Sequence, residues 1–264
     1  YRLVGSEMCI RDRASTAQIG VLDIADPATP TLIEYLDAAA YGSGATSVVV
    51  MGDHVAATIL GPTIQDEGMV VIFDVDGDFV AEYPAGFWPD AIALSPDGSH
   101  LLVSNEGQPA ADFSLGELID QPGSATLIDV SSGPDQGIVT QVSFAGLTSE
   151  DLPEGVRIST PGASIEQDLE PEFGAFSMDG STAYIACQEN NAIIVIDVEE
   201  AEVTGVWPLG ARDYALDGGL DPSDLDGSIA IAPWPVKGLR MPDAIHSWDH
   251  EGQTILLTAN EGDS

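Results

Sequence analysis

Three stretches of the chain carry acids at matching places. One runs from Pro89-Asp90-Ala91-Ile92 through Ser95-Pro96-Asp97-Gly98 and His100-Leu101-Leu102-Val103-Ser104-Asn105 to Glu106-Gly107. A second begins Pro171-Glu172-Phe173-Gly174, turns at Asp179-Gly180, and continues Ala183-Tyr184-Ile185-Ala186-Cys187 to Gln188-Glu189. The third begins Pro242-Asp243-Ala244-Ile245, turns at Glu251-Gly252, and ends Thr258-Ala259-Asn260-Glu261-Gly262. If symmetry relates these units, Asp90, Glu172 and Asp243 fall on one ring, and Glu106, Glu189 and Glu261 on another. Converging carboxylates repel unless a cation, a proton or water lies between them, and an oxygen-only donor set suits hard ions such as Ca2+ or Mg2+. The chemistry such a ring could carry is cation binding, with Ca2+ as the candidate ion. The plainer alternative is that each acid ends a strand and accepts backbone N–H groups in its own turn.

Other residue sets add candidates. In Asp221-Pro222-Ser223-Asp224-Leu225-Asp226-Gly227 the acids echo the middle of a calcium loop, with Gly227 allowing a sharp bend. The full pattern fails, because Pro222 and Pro233 fall at the first and last ligand positions. Asp74-Val75-Asp76-Gly77-Asp78 fits a hairpin turn better. Lys237 and Arg240 stand just before Met241-Pro242-Asp243, and form either a neutralising pair for the carboxylates or an anion-binding point. His54, His100, His246 and His250 lack zinc spacing, and no Gly-x-Ser-x-Gly elbow or Gly-rich phosphate loop occurs. Neither Cys9 nor Cys187 has a metal-type partner nearby, and two cysteines define no disulfide framework.

Apolar runs must position these residues. Val21-Leu22-Asp23-Ile24, Ile72-Phe73-Asp74-Val75, Leu127-Ile128-Asp129-Val130 and Ile194-Val195-Ile196-Asp197-Val198 each close on an Asp before a turn and another strand. The intervals between these Asp residues are too long for a helical solenoid and suit four strands plus variable loops. Runs rich in β-branched residues bounded by Gly, Pro, Asp and Asn are strand signals, and no helical stripe appears outside the loops. The expected fold is all-β, a β-propeller of four-stranded blades. The intervals from Gly107 to Gly123, Leu147 to Leu169 and Gly210 to Gly238 read as insertions on blade loops, where function concentrates on a rigid scaffold.

Composition bounds the partners. Among 264 residues, 44 acids face 7 bases, a net charge of -37. Nucleic acid and anionic membrane surfaces are excluded as partners, since both need a cationic footprint. With 44% apolar residues and mean hydropathy of +0.10 the chain can bury a core. No stretch reaches the roughly 18 apolar residues of a membrane-spanning helix. Arg2, Arg11 and Arg13 crowd into residues 1–13, leaving 42 acids and 4 bases in residues 14–264. Segment 1–13 is no signal peptide, and it resembles a translated sequencing-adapter tail of the kind found on metagenomic fragments. The domain is therefore placed at 14–264.

The motifs around Asp90, Ser95 to Gly98 and Ser104 to Gly107 resemble the choice-of-anchor I family. The resemblance extends through Gln188-Glu189-Asn190-Asn191-Ala192 and from Gly219 through Trp234-Pro235-Val236-Lys237-Gly238 to Asp263. It implies a propeller related in architecture to YVTN and WD-repeat proteins, secreted, periplasmic or surface-attached. Family domains continue for further blades, so an incomplete ring is expected. Members carry labels both of surface glycoproteins and of alkaline phosphatases. Two functions follow as expectations: a binding or adhesion module for a protein, glycan or small molecule, or a metal-dependent phosphoesterase of alkaline phosphatase type. The second predicts carboxylates converging in a hydrophilic funnel. The first predicts acids paired in separate turns and an exposed apolar patch elsewhere.

Overall fold

The computed structural model describes residues 17–112, 117–160, 162–223 and 225–261. Segment 1–13 lies outside them. The chain enters through β1 (Gln18–Asp23) and β2 (Thr31–Asp37), an antiparallel pair. The first four-stranded sheet comprises β3 (Ala45–Met51), β4 (His54–Ile59), β5 (Glu67–Asp74) and β6 (Phe79–Phe87), joined in sequence order. The second takes β7 (Pro89–Leu94) and β8 (His100–Asn105), passes the small hairpin β9 (Ala110–Asp112) and β10 (Glu117–Ile119), and adds β11 (Ser124–Asp129) and β12 (Ile138–Ser143). After a long excursion holding a single helical turn, α1 (Ile165–Asp168), the third sheet comprises β13 (Phe173–Phe176), β14 (Thr182–Cys187), β15 (Ala192–Asp197) and β16 (Glu202–Pro208). A second excursion pairs β17 (Ala211–Asp213) with β18 (Lys237–Leu239), and β19 (Pro242–His250) and β20 (Gln253–Asn260) form the last hairpin.

The first strands of successive sheets touch, β3 to β7, β7 to β13 and β13 to β19. Each sheet is an antiparallel meander, and its first strand lies beside the first strand of the next. That is the arrangement of propeller blades around an axis. The sequence expectation of an all-β propeller holds.

Strand periodicity explains why the blades stack. Successive side chains of a strand point to opposite faces, so Leu102 on β8 packs towards Phe176, Ile185 and Ile194 of the next blade. Its neighbours Leu101 and Val103 pack towards Val70 and Ile72 of the preceding blade. Equivalent seams form around Ile19, Leu36, Ile59 and Phe73, and around Tyr184, Ile193, Val195 and Ile245. Middle strands such as β15 are covered on both faces, and Ile193-Ile194-Val195-Ile196 accordingly reads as an unbroken apolar run. Outer strands such as β12 are largely open to water.

The two ends of the blades differ. At one end lie short turns held by aspartates. Ser95 Oγ and Ser99 Oγ both donate to Asp97 Oδ1 at 2.7 Å, and Ser177 Oγ and Ser181 Oγ donate to Asp179 Oδ1 at 2.7 and 2.8 Å. The strand-closing aspartates work alike, with Asp23, Asp74, Asp129 and Asp197 each accepting a backbone N–H two or three residues on. Asp74 does close a hairpin turn, as its spacing suggested. At the other end emerge all three insertions, between β8 and β11, β12 and β13, and β16 and β19.

Candidate functional site

The insertion end also carries the patterned acids. Asp90 and Asp243 occupy bulges. Pro89 pairs with Asn105 and Ala91 with Ser104, leaving Asp90 as the extra residue; Pro242 pairs with Asn260 and Ala244 with Ala259, leaving Asp243. A bulge re-aims the extra side chain and often sits beside a functional site. In both blades a left-handed residue precedes the proline, Trp88 at φ 48 and Met241 at φ 50. Side chains other than Gly, Asn and Asp rarely adopt this conformation, and a residue before proline favours extended backbone. The first blade repeats the bulge with Thr46, whose Oγ1 donates at 2.5 Å to the Pro89 carbonyl of the next blade.

Glu106 follows β8 and is 6% exposed, its N–H bonded to the Trp88 carbonyl at 2.9 Å. Burial, then repulsion from Asp90, Glu170 and Glu189, pushes its carboxyl from 4.5 up to about 9, against a smaller opposing hydrogen bond from Gln108. Glu172 enters β13, its N–H bonded to the Ala186 carbonyl at 2.9 Å. Burial, then Glu189, Glu106, Asp90 and Asp243, pushes it likewise to about 9. Its Oε2 is buried with no hydrogen-bond partner among the described residues. Asp90, Glu106, Glu170, Glu172, Glu189 and Asp243 thus form one electrostatically joined set drawn from three blades. At neutral pH Glu106 and Glu172 hold protons, which relieves part of the repulsion. Burial raises the nearby Cys187 thiol too, with Glu172, Glu189 and Glu170 adding to it.

Two symmetry expectations need refinement. The residue after the last position of β8 is Glu106, and the one after the last position of β14 is Gln188, so Glu189 lies one step beyond the equivalent place. It still faces the same set. Glu261 repeats the Glu106 backbone bond, donating to the Met241 carbonyl at 3.2 Å, but it is exposed and is not among the groups acting on Glu106 or Glu172. Glu170, 6% exposed, joins the set unforeseen; its only sequence signal was its place beside Pro171-Glu172.

Two buried asparagines fasten the surroundings. Asn190 Nδ2 donates to the Asp168 carbonyl at 2.7 Å and to Asp168 Oδ2 at 3.0 Å, while its Oδ1 accepts from Glu170 N at 3.1 Å. Asp168, 1% exposed, also accepts from Ser159 N and Thr160 N at 2.9 and 2.6 Å, which draws the second insertion onto the blade.

The remaining candidates stand apart. Asp221 accepts from Ser223 N and Ala230 N, and Asp226 from Ser228 N; Asp224 lies outside the described residues. Arg240 Nε donates to the Leu209 carbonyl at 3.0 Å, and Lys237 is exposed on β18. Among the described residues no group of three or more His, Cys, Asp or Glu is placed to hold a metal ion.

Meander blades ringed about an axis, with acids gathered at the end that bears the insertions, define a β-propeller domain. The chain belongs to the choice-of-anchor I domain family, whose match covers residues 6–264 and so begins inside the segment set apart above. No curated protein matches the sequence. Among solved structures the chain is similar to hydrazine synthase of Kuenenia stuttgartiensis, with 12% identity, a TM-score of 0.51, and coverage of 94% of this chain and 66% of that one. It is also similar to a functionally unknown protein of Desulfotomaculum acetoxidans, at 11% identity, TM-score 0.49, and 84% and 64% coverage. For the β-propeller domain of Cps50 (Swd1) from Myceliophteria thermophila the values are 14%, 0.47, 87% and 57%. The chain spans less than two thirds of each of these structures.

Proposed function

We propose that the chain is a binding module of an extracellular or surface-attached protein, and that its insertion face takes a positively charged ligand at the acid set. The observation that carries this is the joining of six carboxyl groups from three blades, two of them buried enough to keep their protons. A cation entering there displaces those protons and relieves the repulsion at once. An alkylammonium suits the set as a hydrogen-bond donor to separate carboxylates, whereas Ca2+ suits oxygen donors but would need them drawn closer than they stand, since no three are placed to hold a metal ion among the described residues. The same field opposes a phosphate ester, and Arg240 directs its Nε to a carbonyl, so the geometry lends the phosphoesterase reading no specific support. A family at home on cell surfaces, and the lack among the described residues of any helix long and apolar enough to cross a membrane, fit a displayed module.

The test is calorimetric titration with Ca2+ and with butylammonium in buffers of different ionisation enthalpy. Binding with proton release that disappears in the Glu106→Gln, Glu172→Gln double variant is expected. Absence of heat with both cations would sink the proposal.

A further inference from the structure

A cleft of about 560 Å3 opens between the second and third four-stranded sheets, at the turn end and so opposite the acid set. Its size lies within the range of small-molecule sites, about 300–1,000 Å3. The opening has a local cause. In the preceding seam the connection formed by residues 130–137 folds back onto β6. There Tyr83 Oη donates to the Pro134 carbonyl at 2.7 Å and accepts from Gly137 N at 2.7 Å, and the ring lies so close to Gly137 that any side chain would collide with it. The matching connection of the third sheet is only residues 198–201, too short to fold back onto β12 in the same way. The space closed in one seam is left open in the next.

The lining combines charge with hydrocarbon. Asp97 and Asp129 come from the second sheet and Asp179, Glu199 and Glu200 from the third, while Leu127, Ile138, Val198 and Ala201 supply apolar surface, with Ile138 66% exposed. The bonds from Ser95 and Ser99 all fall on Asp97 Oδ1, and those from Ser177 and Ser181 on Asp179 Oδ1, so the second oxygen of each carboxylate keeps its capacity to accept. The same bonds hold both acids below the usual carboxylate range, which leaves them charged at neutral pH. No lysine or arginine of the described residues offsets this charge. Arg157 belongs to the second insertion and Arg212, Lys237 and Arg240 to the third, all at the opposite end, and the other three arginines lie in residues 1–13. His100 is the one imidazole in the lining. A ligand with several positive charges separated by hydrocarbon matches both parts of this surface. We propose that the cleft binds a linear aliphatic polyamine, its ammonium groups donating to carboxylates of both sheets and its methylenes lying on the apolar lining around Ile138. The site is independent of the insertion face and does not rest on the reading given for it.

The test is calorimetric titration of the whole 264-residue chain with spermidine and with hexaamminecobalt(III), an ion of equal charge without methylenes. It is run in the Glu106→Gln, Glu172→Gln background, so that proton release at the acid set does not contribute. Spermidine is expected to bind at least tenfold more tightly than hexaamminecobalt(III). Thr140→Trp, which fills the cleft from an exposed position of β12, and Glu199→Gln, Glu200→Gln, which takes two charges from one wall, are each expected to weaken spermidine at least tenfold. Glu150→Gln, Glu154→Gln removes the same charge from exposed positions of the second insertion and is expected to leave binding unchanged. Equal affinity for the two trications, or equal loss from the two glutamate pairs, would overturn the proposal by showing attraction to net charge alone. Spermidine binding that survives Thr140→Trp would overturn it too, since the ligand would then sit elsewhere.

Discussion

Asn191 accepts the backbone N–H of Met241 at 3.2 Å across 50 residues of chain, and the same Oδ1 takes the N–H of Arg240 at 2.9 Å. Its Nδ2 donates to the Gly210 carbonyl at 2.9 Å. One side chain therefore joins both feet of the third insertion to the turn between β14 and β15, and sets where β19 and Asp243 begin. Asn also tolerates the φ of 52 found there. Asn191→Ala leaves buried N–H groups without acceptors, at a cost of about 2–4 kcal/mol. Urea denaturation is expected to show that loss, and Asn191→Asp, which keeps the acceptor but turns a buried carboxylate oxygen towards the Gly210 carbonyl, is expected to lose no less.

Stability should fall as pH rises. Glu106 and Glu172 keep their protons to about 9 in the folded chain, whereas carboxyls of the unfolded chain release them near 4.5. Between those values the native state binds more protons, so the contribution is complete below about 4.5 and is lost as pH climbs towards about 9. Glu106→Gln, Glu172→Gln is expected to flatten the decline in denaturation midpoint between pH 5 and pH 9. An unchanged slope would show that these two carboxyls titrate normally.

The turn end behaves in the opposite sense. Hydrogen bonds from Ser95 and Ser99 lower Asp97 from 3.8 to about 2, and Ser177 and Ser181 lower Asp179. The Asp97 contribution is present above about 3.8 and is lost as pH falls towards about 2, and that of Asp179 is lost in the same direction. Asp97→Ala and Asp179→Ala each remove the same turn bonds in different blades, so each is expected to lower the denaturation midpoint by a similar amount. Equal shifts in denaturation midpoint check the equivalence, and widely unequal ones would contradict it.

The alternation and turn residues made the blades legible, because strands and turns are local and their signals lie within a few residues. Asp90 and Asp243 stood out for the same reason, as an acid after Pro before an apolar run, but that each is the extra residue of a bulge depends on strand pairing and was not legible. Glu189 was found with its register displaced, since Gln188 and Glu189 are both polar and only the pairing of β14 with β15 separates them. Asp168 and Asn190 could not be read. Their bond spans 22 residues and depends on how an insertion folds back. The exposed position of Glu261 was equally hidden, because symmetry of sequence does not specify which blades surround it.

Ser104 offers a gain rather than a loss. It is fully buried on β8, and its Oγ has no hydrogen-bond partner among the described residues. Removing an unsatisfied buried hydroxyl relieves its desolvation penalty, so Ser104→Ala is expected to raise stability by about 1 kcal/mol. A calorimetric melting temperature below that of the unaltered chain would reveal a role for the hydroxyl that the geometry does not show.

All three insertions leave and re-enter at one end of the blades, and the opposite end has shorter connections, several of them fixed by their own aspartates. The two ends are therefore under different constraints. A change at the turn end alters strand pairing and is felt through an entire blade. A change of length or composition in an insertion alters only what that face presents, because the strands at its base are already paired to their own neighbours. The framework can remain constant while the insertion face is rewritten, so members sharing these strands need not present the same face.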